Sequence, residues 1–414
     1  MSDSTRLATS SAHWLPFTQM SAFDPALRTF VRARGTRLVD ARGREVFDAI
    51  SSVWTTIHGH GHPAIVEAIA RQASVLDHVT ALGATNPVAE ELAERLCART
   101  RLDHAFFSGD GASAIEAALK MCLQYWQNVG EPQRSRFVHL VGSYHGDTAG
   151  AMSVSDIALF KQRFGALVVE TLAYDDVVTA LARDDVAAII VEPIVQAAAG
   201  MRILPKTRYA PLRSARTPLL IVDEIATGFG RTGTLFAFEQ LALEPDIVVL
   251  GKGITGGTLA LSATVATERV YAAFLGEYAE ARHFFHGHSY AANPIACAAA
   301  LASLELFETE RTLEIVARTE AALDALLAPL VRHRLVTDLR RAGLMIGIEL
   351  DDARIARNGA LTPAWRIANE LYERGHFTRP IGATIQLVPP LISTADELQS
   401  FVDALIEALD TAEK

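Results

Sequence analysis

Two hydrophobic periodicities alternate along this chain from about residue 64 to residue 300. Short runs of Val, Ile, Leu and Ala occur at Ala105–Ser108, Phe137–Val141, Val186–Val191, Pro218–Val222, Asp246–Leu250 and Leu261–Thr267. Pro87–Arg99, Ser113–Gln127 and Pro294–Glu308 instead carry apolar residues at helical spacing. Runs without polar alternation are those of strands buried on both faces, and helices between them make the neighbours parallel. The pattern predicts an α/β fold with a large, mostly parallel sheet sandwiched by helices. After Glu308 the texture changes. An amphipathic helix over about Leu313–Val331 leads to a strand at Leu344–Leu350, a helix near Pro363–Arg374 and a strand at Ala383–Val388. In the final helix Thr394 and Glu397 have capping-box spacing. This predicts a second, smaller α+β domain. The expected division is 1–60 as a segment joining the small domain, 61–300 as the large domain and 301–414 as the small one.

Open parallel sheets bind ligands at the carboxyl ends of their strands, so the residues after each apolar run are the candidates for chemistry. Lys252 directly follows Asp246–Leu250, between Gly251 and Gly253. A buried lysine there has a lowered pKa and suits Schiff-base chemistry; an ion-paired lysine at a strand end is the plainer reading. Asp223 ends the run Leu219–Val222 and needs a cationic partner if buried. A protonated pyridine nitrogen would serve, and Asp with a Schiff-base Lys is the arrangement expected around pyridoxal phosphate. Capping the next helix or pairing with Arg231 would also satisfy Asp223. Ser108–Ser113 is a glycine-bearing turn into a helix, a place where backbone N–H groups can meet an anion. Tyr144 follows another strand and offers a face for stacking on a planar ring. His145 beside it reads as a catalytic base or as a hydrogen-bonded structural histidine.

Composition removes other classes. The 414 residues carry 38 basic and 48 acidic side chains, a net charge of −10, with no basic run, so no nucleic-acid partner is expected. Cys97, Cys122 and Cys297 are isolated and odd in number, which argues against a disulfide framework and for a reducing, cytoplasmic compartment. His58, His60 and His62, and His286 and His288, have no carboxylate or cysteine at ligand spacing, so no metal is expected. Met1–Trp14 lacks the apolar core of a signal peptide. The most apolar stretch, Val186–Leu204, is interrupted by Glu192, Pro193, Gln196 and Arg202, so no membrane partner is expected either.

Taken in order, Leu220–Gly233 (LIVDEIATGFGRTG) followed by Gly251-Lys252-Gly253 closely resembles the signature of the class III aminotransferases, which are fold-type I pyridoxal-phosphate enzymes. The resemblance runs from about His13 to the last helix. Within the class it is strongest to the branch that moves an amino group from S-adenosylmethionine to 8-amino-7-oxononanoate, giving 7,8-diaminononanoate for biotin. His13–Met20, Ile57–Pro63, Ala118–Trp126, Tyr144–Thr148, Glu192–Gln196 and Arg379-Pro380 carry it. The resemblance implies a ping-pong transaminase with amine and keto substrates, in which Lys252 bonds the cofactor and moves a proton. Asp223 would bond the ring nitrogen, Tyr144 would stack on the ring, and Glu192 and Ala226 would lie beside it. Gly111 and Ala112 match the phosphate loop. Ser289 matches a hydroxyl that reaches the phosphate from a second subunit, so a homodimer with shared sites is implied. Phe17, Val53, Trp54, Asp147, Arg231, Arg379 and Gln386 match substrate positions, Arg379 as the carboxylate binder.

The branch usually has Tyr at the positions of Phe17 and Gln386, Trp at Val53, and serines at Asp110 and Ala112. Glutamate-gated relatives carry a glutamate where this chain has Ala198. Two other readings of the same scaffold are a class III transaminase with another amine donor (lysine, a polyamine or an ω-amine) or another keto or aldehyde acceptor, and an intramolecular aminomutase, which needs no external acceptor.

Overall fold

The computed structural model describes residues 12–22, 28–174, 177–214, 217–356 and 361–412. Most of the polar start of the chain, residues 1–11, lies outside the described residues. Near the start, β1 (Phe30–Arg34), β2 (Arg37–Asp40) and β3 (Glu45–Asp48) form an antiparallel meander. The strands of the large sheet follow: β4 (His104–Ser108), β5 (Arg136–Leu140), β6 (Leu172–Tyr174) and β7 (Val186–Val191). A two-residue pair, β8 (Val195–Gln196) and β9 (Arg202–Ile203), interrupts them before β10 (Leu219–Asp223), β11 (Ile247–Leu250) and β12 (Ser262–Ala266). The sheet order is β4-β12-β11-β10-β7-β5-β6. All neighbours are parallel except at β12, which runs against both β11 and β4. Every residue of β7, β10, β11 and β12 is buried, as unbroken apolar runs require.

The covering helices start in a repeated way. Pro63–Val75, Pro87–Thr100, Pro294–Thr309 and Pro363–Glu373 each place proline in the first turn behind His62, Asn86, Asn293 or Thr362, whose side chain accepts a first-turn N–H. Proline has no N–H to leave orphaned there, and the cap satisfies one that remains. Helix Gly111–Asn128 buries Ala114, Ala117 and Ala118, small residues that let it lie close to the sheet. Strand β12 fixes its start, because Ser262 Oγ donates to the Asp110 carbonyl at 2.6 Å and Thr264 Oγ1 to the Ala114 carbonyl at 2.9 Å.

In the last third, β13 (Val336–Ala342), β14 (Met345–Leu350), β15 (His376–Phe377) and β16 (Thr384–Leu387) are accompanied by helices Thr312–Val331, Pro363–Glu373 and Ala395–Asp410. Thr394 and Glu397 make the full capping box. β13-β14-β16 is a separate antiparallel sheet, whereas β15 pairs in parallel with β3, so both ends of the chain share a sheet. That sheet carries residues 49–54 and 378–386 toward the carboxyl edge of the large one.

Candidate active site

The ends of β4, β5, β7, β10 and β11 open on one cavity of about 490 Å³. Lys252 leaves β11 with φ 42°, a left-handed backbone that costs a non-glycine residue about 1–2 kcal/mol. Its side chain lines the cavity, and desolvation lowers its pKa against the opposing pull of Asp223 and Glu192. Asp223, 4% exposed, accepts from His145 Nδ1 at 2.7 Å and from the Ile225 N–H at 3.0 Å. A carboxylate only accepts, so Nδ1 carries the hydrogen of that imidazole. Glu192 accepts from the Tyr144 and Ala197 N–H groups at 3.0 and 3.2 Å. Burial, reinforced by the negative charge of Asp223, pushes its carboxyl up to about 7. The Tyr144 hydroxyl donates to Asp147 at 2.8 Å. Burial and neighbouring carboxylates raise its pKa far above the ordinary phenol value, which keeps the O–H in place.

Helix Gly111–Asn128 points its amino end at the cavity. Asp110 does not aim its charge freely into that space, since its carboxylate accepts from the Ser113 N–H at 3.0 Å and the Ser113 hydroxyl at 2.8 Å. Helix geometry leaves the Gly111 and Ala112 amides without intrahelical partners. A Cβ on Gly111 would come 2.9 Å from Ile225, so glycine lets the helix start lie against the loop after β10.

The far wall belongs to the smaller sheets. Trp54 Nε1 donates to Gln386 Oε1 at 2.8 Å, and Gln386 Nε2 donates to the Arg379 carbonyl at 2.6 Å. Lys252 Nζ lies 4.8 Å from the centre of the Trp54 ring. Phe160 is packed edge-on between Tyr144 and Phe17, with centroids at 5.8 and 5.1 Å, and the Arg379 guanidinium lies 5.8 Å from the Phe17 ring.

A buried amine held beside two carboxylates and a helix amino end, below an aromatic wall, is suited to carbonyl chemistry on an anionic cofactor. The family model for class III aminotransferases matches residues 19–409. The chain belongs to the class III aminotransferases. Curated relatives in the family include the adenosylmethionine-8-amino-7-oxononanoate aminotransferases of Synechococcus elongatus, 43% identical over 96% of this chain and 98% of the relative, and of Aquifex aeolicus, 40% identical over 97% and 96%. The crystal structure of the enzyme of that name from Methanocaldococcus jannaschii superposes with a TM-score of 0.89 at 35% identity, covering 97% of this chain and 98% of that one. An amine transaminase from an uncultivated Pseudomonas species, in its PLP-bound form, matches with a TM-score of 0.89 at 32% identity over 98% and 99%.

Pyridoxal phosphate is therefore the cofactor of this aminotransferase, and the residues present fit it. Lys252 offers an amine for the aldehyde, Asp223 an anion for the ring nitrogen, and Gly111 and Ala112 amides for the phosphate. Of the residues expected from sequence, Gly111, Ala112, Tyr144, Asp147, Glu192, Asp223, Ala226, Lys252 and Trp54 line the cavity. Gln386 is joined to it through Trp54, and Arg379 through Gln386 and Phe17. Phe17 and Val53, also expected there, are 52% and 44% exposed and do not line it.

Arg231 is a correction to its expected substrate role. Its side chain is fully buried outside the cavity, and its two terminal nitrogens donate to the Pro389 and Thr56 carbonyls of the scaffold. Ser289 is exposed in the single chain and outside the cavity. His145 lines the cavity with its Nδ1 bonded to Asp223. Phe160 was not anticipated, because Ala158–Lys161 is a single turn with no periodic pattern to single it out. Among the described residues no group of three or more His, Cys, Asp or Glu is arranged to hold a metal. Nor is any described helix long and apolar enough to cross a membrane.

Proposed function

We propose that this aminotransferase takes the amino group of S-adenosylmethionine and gives it to 8-amino-7-oxononanoate, as the names of its relatives state for them. The observation that carries the reading is Arg379. It is half-buried, desolvation lowers its pKa, and its guanidinium donates to the Phe17 carbonyl at 3.3 Å with no carboxylate partner among the described residues. Ala198 lines the cavity and offers no internal anion in competition. Donor and acceptor both carry a carboxylate, and one planar fork can bind each in turn.

Bound pyridoxal phosphate supplies an aldehyde for the donor amine and a ring that withdraws electrons from the adjacent C–H bond. The side chains are proposed to do the rest. Lys252 Nζ, whose pKa burial lowers, takes the proton from the amine-bearing carbon of the donor and returns it in the second half-reaction. Asp223, held by His145 Nδ1–H, keeps a proton on the ring nitrogen. Tyr144 and Trp54 bracket the reacting atoms and exclude water, and Asp147 holds the Tyr144 hydroxyl. Arg379 orients the substrate carboxylate.

The active unit is proposed to be a homodimer that brings Ser289 to the phosphate end of the other subunit's site. Supporting this, Leu82, Phe285 and Tyr290 are 68%, 63% and 69% exposed, and segments 77–82 and 287–293 touch one another beside Ser289. The free thiols Cys97, Cys122 and Cys297 suit a reducing cytoplasm.

Mixing the cofactor-loaded protein with S-adenosylmethionine and following the cofactor absorption bands tests the donor. Conversion to the amine form of the cofactor is expected, with return of the original bands on adding the keto acceptor. No change with S-adenosylmethionine beside fast change with another amine would overturn the donor. Phe17, Val53 and Gln386 favour that second reading, a transaminase of another amine, because they replace hydroxyl and indole groups typical of the branch and alter what the pocket can donate.

A further inference from the structure

Residues Ser51, Ser52, Val53 and Trp54 have φ of 49°, 49°, 66° and 67°, and for Ser52 and Val53 ψ is 51° and 57°. This is a full turn of left-handed helix without a glycine, closed by the Trp54 N–H on the Ile50 carbonyl at 2.7 Å and the Thr55 N–H on the Ser51 carbonyl at 2.9 Å. L-residues visit this conformation singly, and a β-branched residue such as Val53 fits it worst. A strained turn persists only where its surroundings over-determine it.

The surroundings converge on Asp48, which is fully buried at the end of β3. Its Oδ1 accepts the Ser52 N–H at 3.0 Å and the Ile50 N–H at 3.4 Å. Its Oδ2 accepts the Ser52 hydroxyl at 2.9 Å and His60 Nε2 at 2.8 Å. Every lone-pair direction of the carboxylate is thus engaged, and two of the bonds go to the residue at the centre of the turn. The Ser51 hydroxyl anchors the other side on the Val388 carbonyl at 2.6 Å. The turn in turn sets the indole of Trp54, which touches nothing of Asp48 but meets Gln386 and Lys252.

We infer that Asp48, with His60, is a positioning group for substrate binding: it holds the left-handed turn that presents Trp54 to the cavity. It reaches neither substrate nor cofactor. The inference rests on the aminotransferase reading of the cavity, and the readouts below separate its failure from a wrong choice of donor.

The test compares Asp48→Ala with Asp48→Asn. Asparagine keeps an acceptor for the Ser52 N–H, and its amide can donate to the Ser52 hydroxyl and to a His60 Nε2 that has switched tautomer. The full-length protein is labelled with 5-fluorotryptophan, and the Trp54 resonance is assigned from Trp54→Phe. In Asp48→Ala that resonance is expected to move while those of Trp14, Trp126 and Trp365 stay. KM for S-adenosylmethionine should rise about tenfold with kcat within about threefold and pyridoxal phosphate affinity within about twofold, the signature of lost binding rather than lost chemistry. Asp48→Asn should restore the resonance and most of the KM change.

An unmoved Trp54 resonance in Asp48→Ala, movement of all four resonances together, or no recovery in Asp48→Asn would overturn the inference. If the wild-type protein does not turn over S-adenosylmethionine, the donor assignment fails and the fluorine spectra still decide the role of Asp48. If Asp48→Ala does not fold, Asp48→Ala/Val53→Gly decides. Glycine supplies the left-handed backbone unaided, so folding with a native Trp54 resonance supports the inference and continued failure to fold contradicts it.

Discussion

Lys252 combines a strained backbone with a buried amine, and the two costs predict what its removal does. Lys252→Ala should lower turnover by at least about a thousandfold, because the proposed proton carrier is gone. The apoprotein should melt no lower than wild type, since the substitution also removes a desolvated amine. Steady-state assay beside calorimetry of the apoprotein checks both, and undiminished turnover would overturn the assigned role. Glu224, adjacent to Asp223 but turned into the core, makes a different prediction. Its carboxylate accepts from Thr227 Oγ1 at 2.6 Å and the Phe238 N–H at 2.7 Å, and burial pushes it up from 4.5 to about 7. A carboxyl raised in the folded state stabilises it while protonated. That contribution is full below about 4.5 and is lost as pH rises through about 7. Glu224→Gln, which can keep both bonds, should remove this loss and gain on the order of 2 kcal/mol at pH 8, with little change at pH 4.5. Glu192 shares the window, so melting curves against pH should flatten without becoming level. At this scale the sequence was informative where a residue's position after an apolar run fixed its environment, as for Asp223 and Lys252. It misled for Arg231, because a motif records that an arginine is needed and not which way its fork points.

Asp110 shows how an element decides what a side chain can do. Serines are usual in this loop, and a carboxylate beside a phosphate should repel it, yet Asp110 serves as the N-cap of Gly111–Asn128. Serine caps about as well as aspartate and carries no charge. Asp110→Ser should therefore leave the melting temperature nearly unchanged and tighten pyridoxal phosphate several-fold, as a fluorescence titration of the apoprotein would show. Weaker binding would mean that the carboxylate contributes something the cap does not explain. The core strands β7, β10, β11 and β12 were legible within a residue or two, since nothing but burial on both faces produces such runs. Strands β1, β2, β3 and β13 were not legible. They are short or half-exposed, each carries charged residues, and they are held by pairing rather than by a local pattern. The left-handed turn at 51–54 had no signal at all, because its four residues are ordinary and its support comes from Asp48, His60 and Val388.

Assembly links the site to the molecule as a whole. Leu82, Phe285 and Tyr290 expose more apolar surface than scattered surface residues need, and they flank Ser289. Light scattering should therefore give about twice the 44.7 kDa of one chain. Ser289→Ala should weaken cofactor binding without splitting the dimer. A monomer that binds cofactor with full affinity would contradict the shared site. The joining of both chain ends through β3 and β15 places the proposed substrate residues Trp54, Arg379 and Gln386 on elements separate from the cofactor bed. This is a physical reason for the cofactor residues to be more legible than the substrate pocket.

The proposed bond between pyridoxal phosphate and Lys252 underlies the catalytic roles proposed above. Borohydride reduction of the cofactor-supplemented protein, followed by peptide mass spectrometry, tests it most directly. The account predicts a yellow protein, bleached on reduction, with the pyridoxyl group on the peptide containing Lys252. A colourless protein, or a label on Lys120, Lys161 or Lys206 with Lys252 untouched, would contradict it.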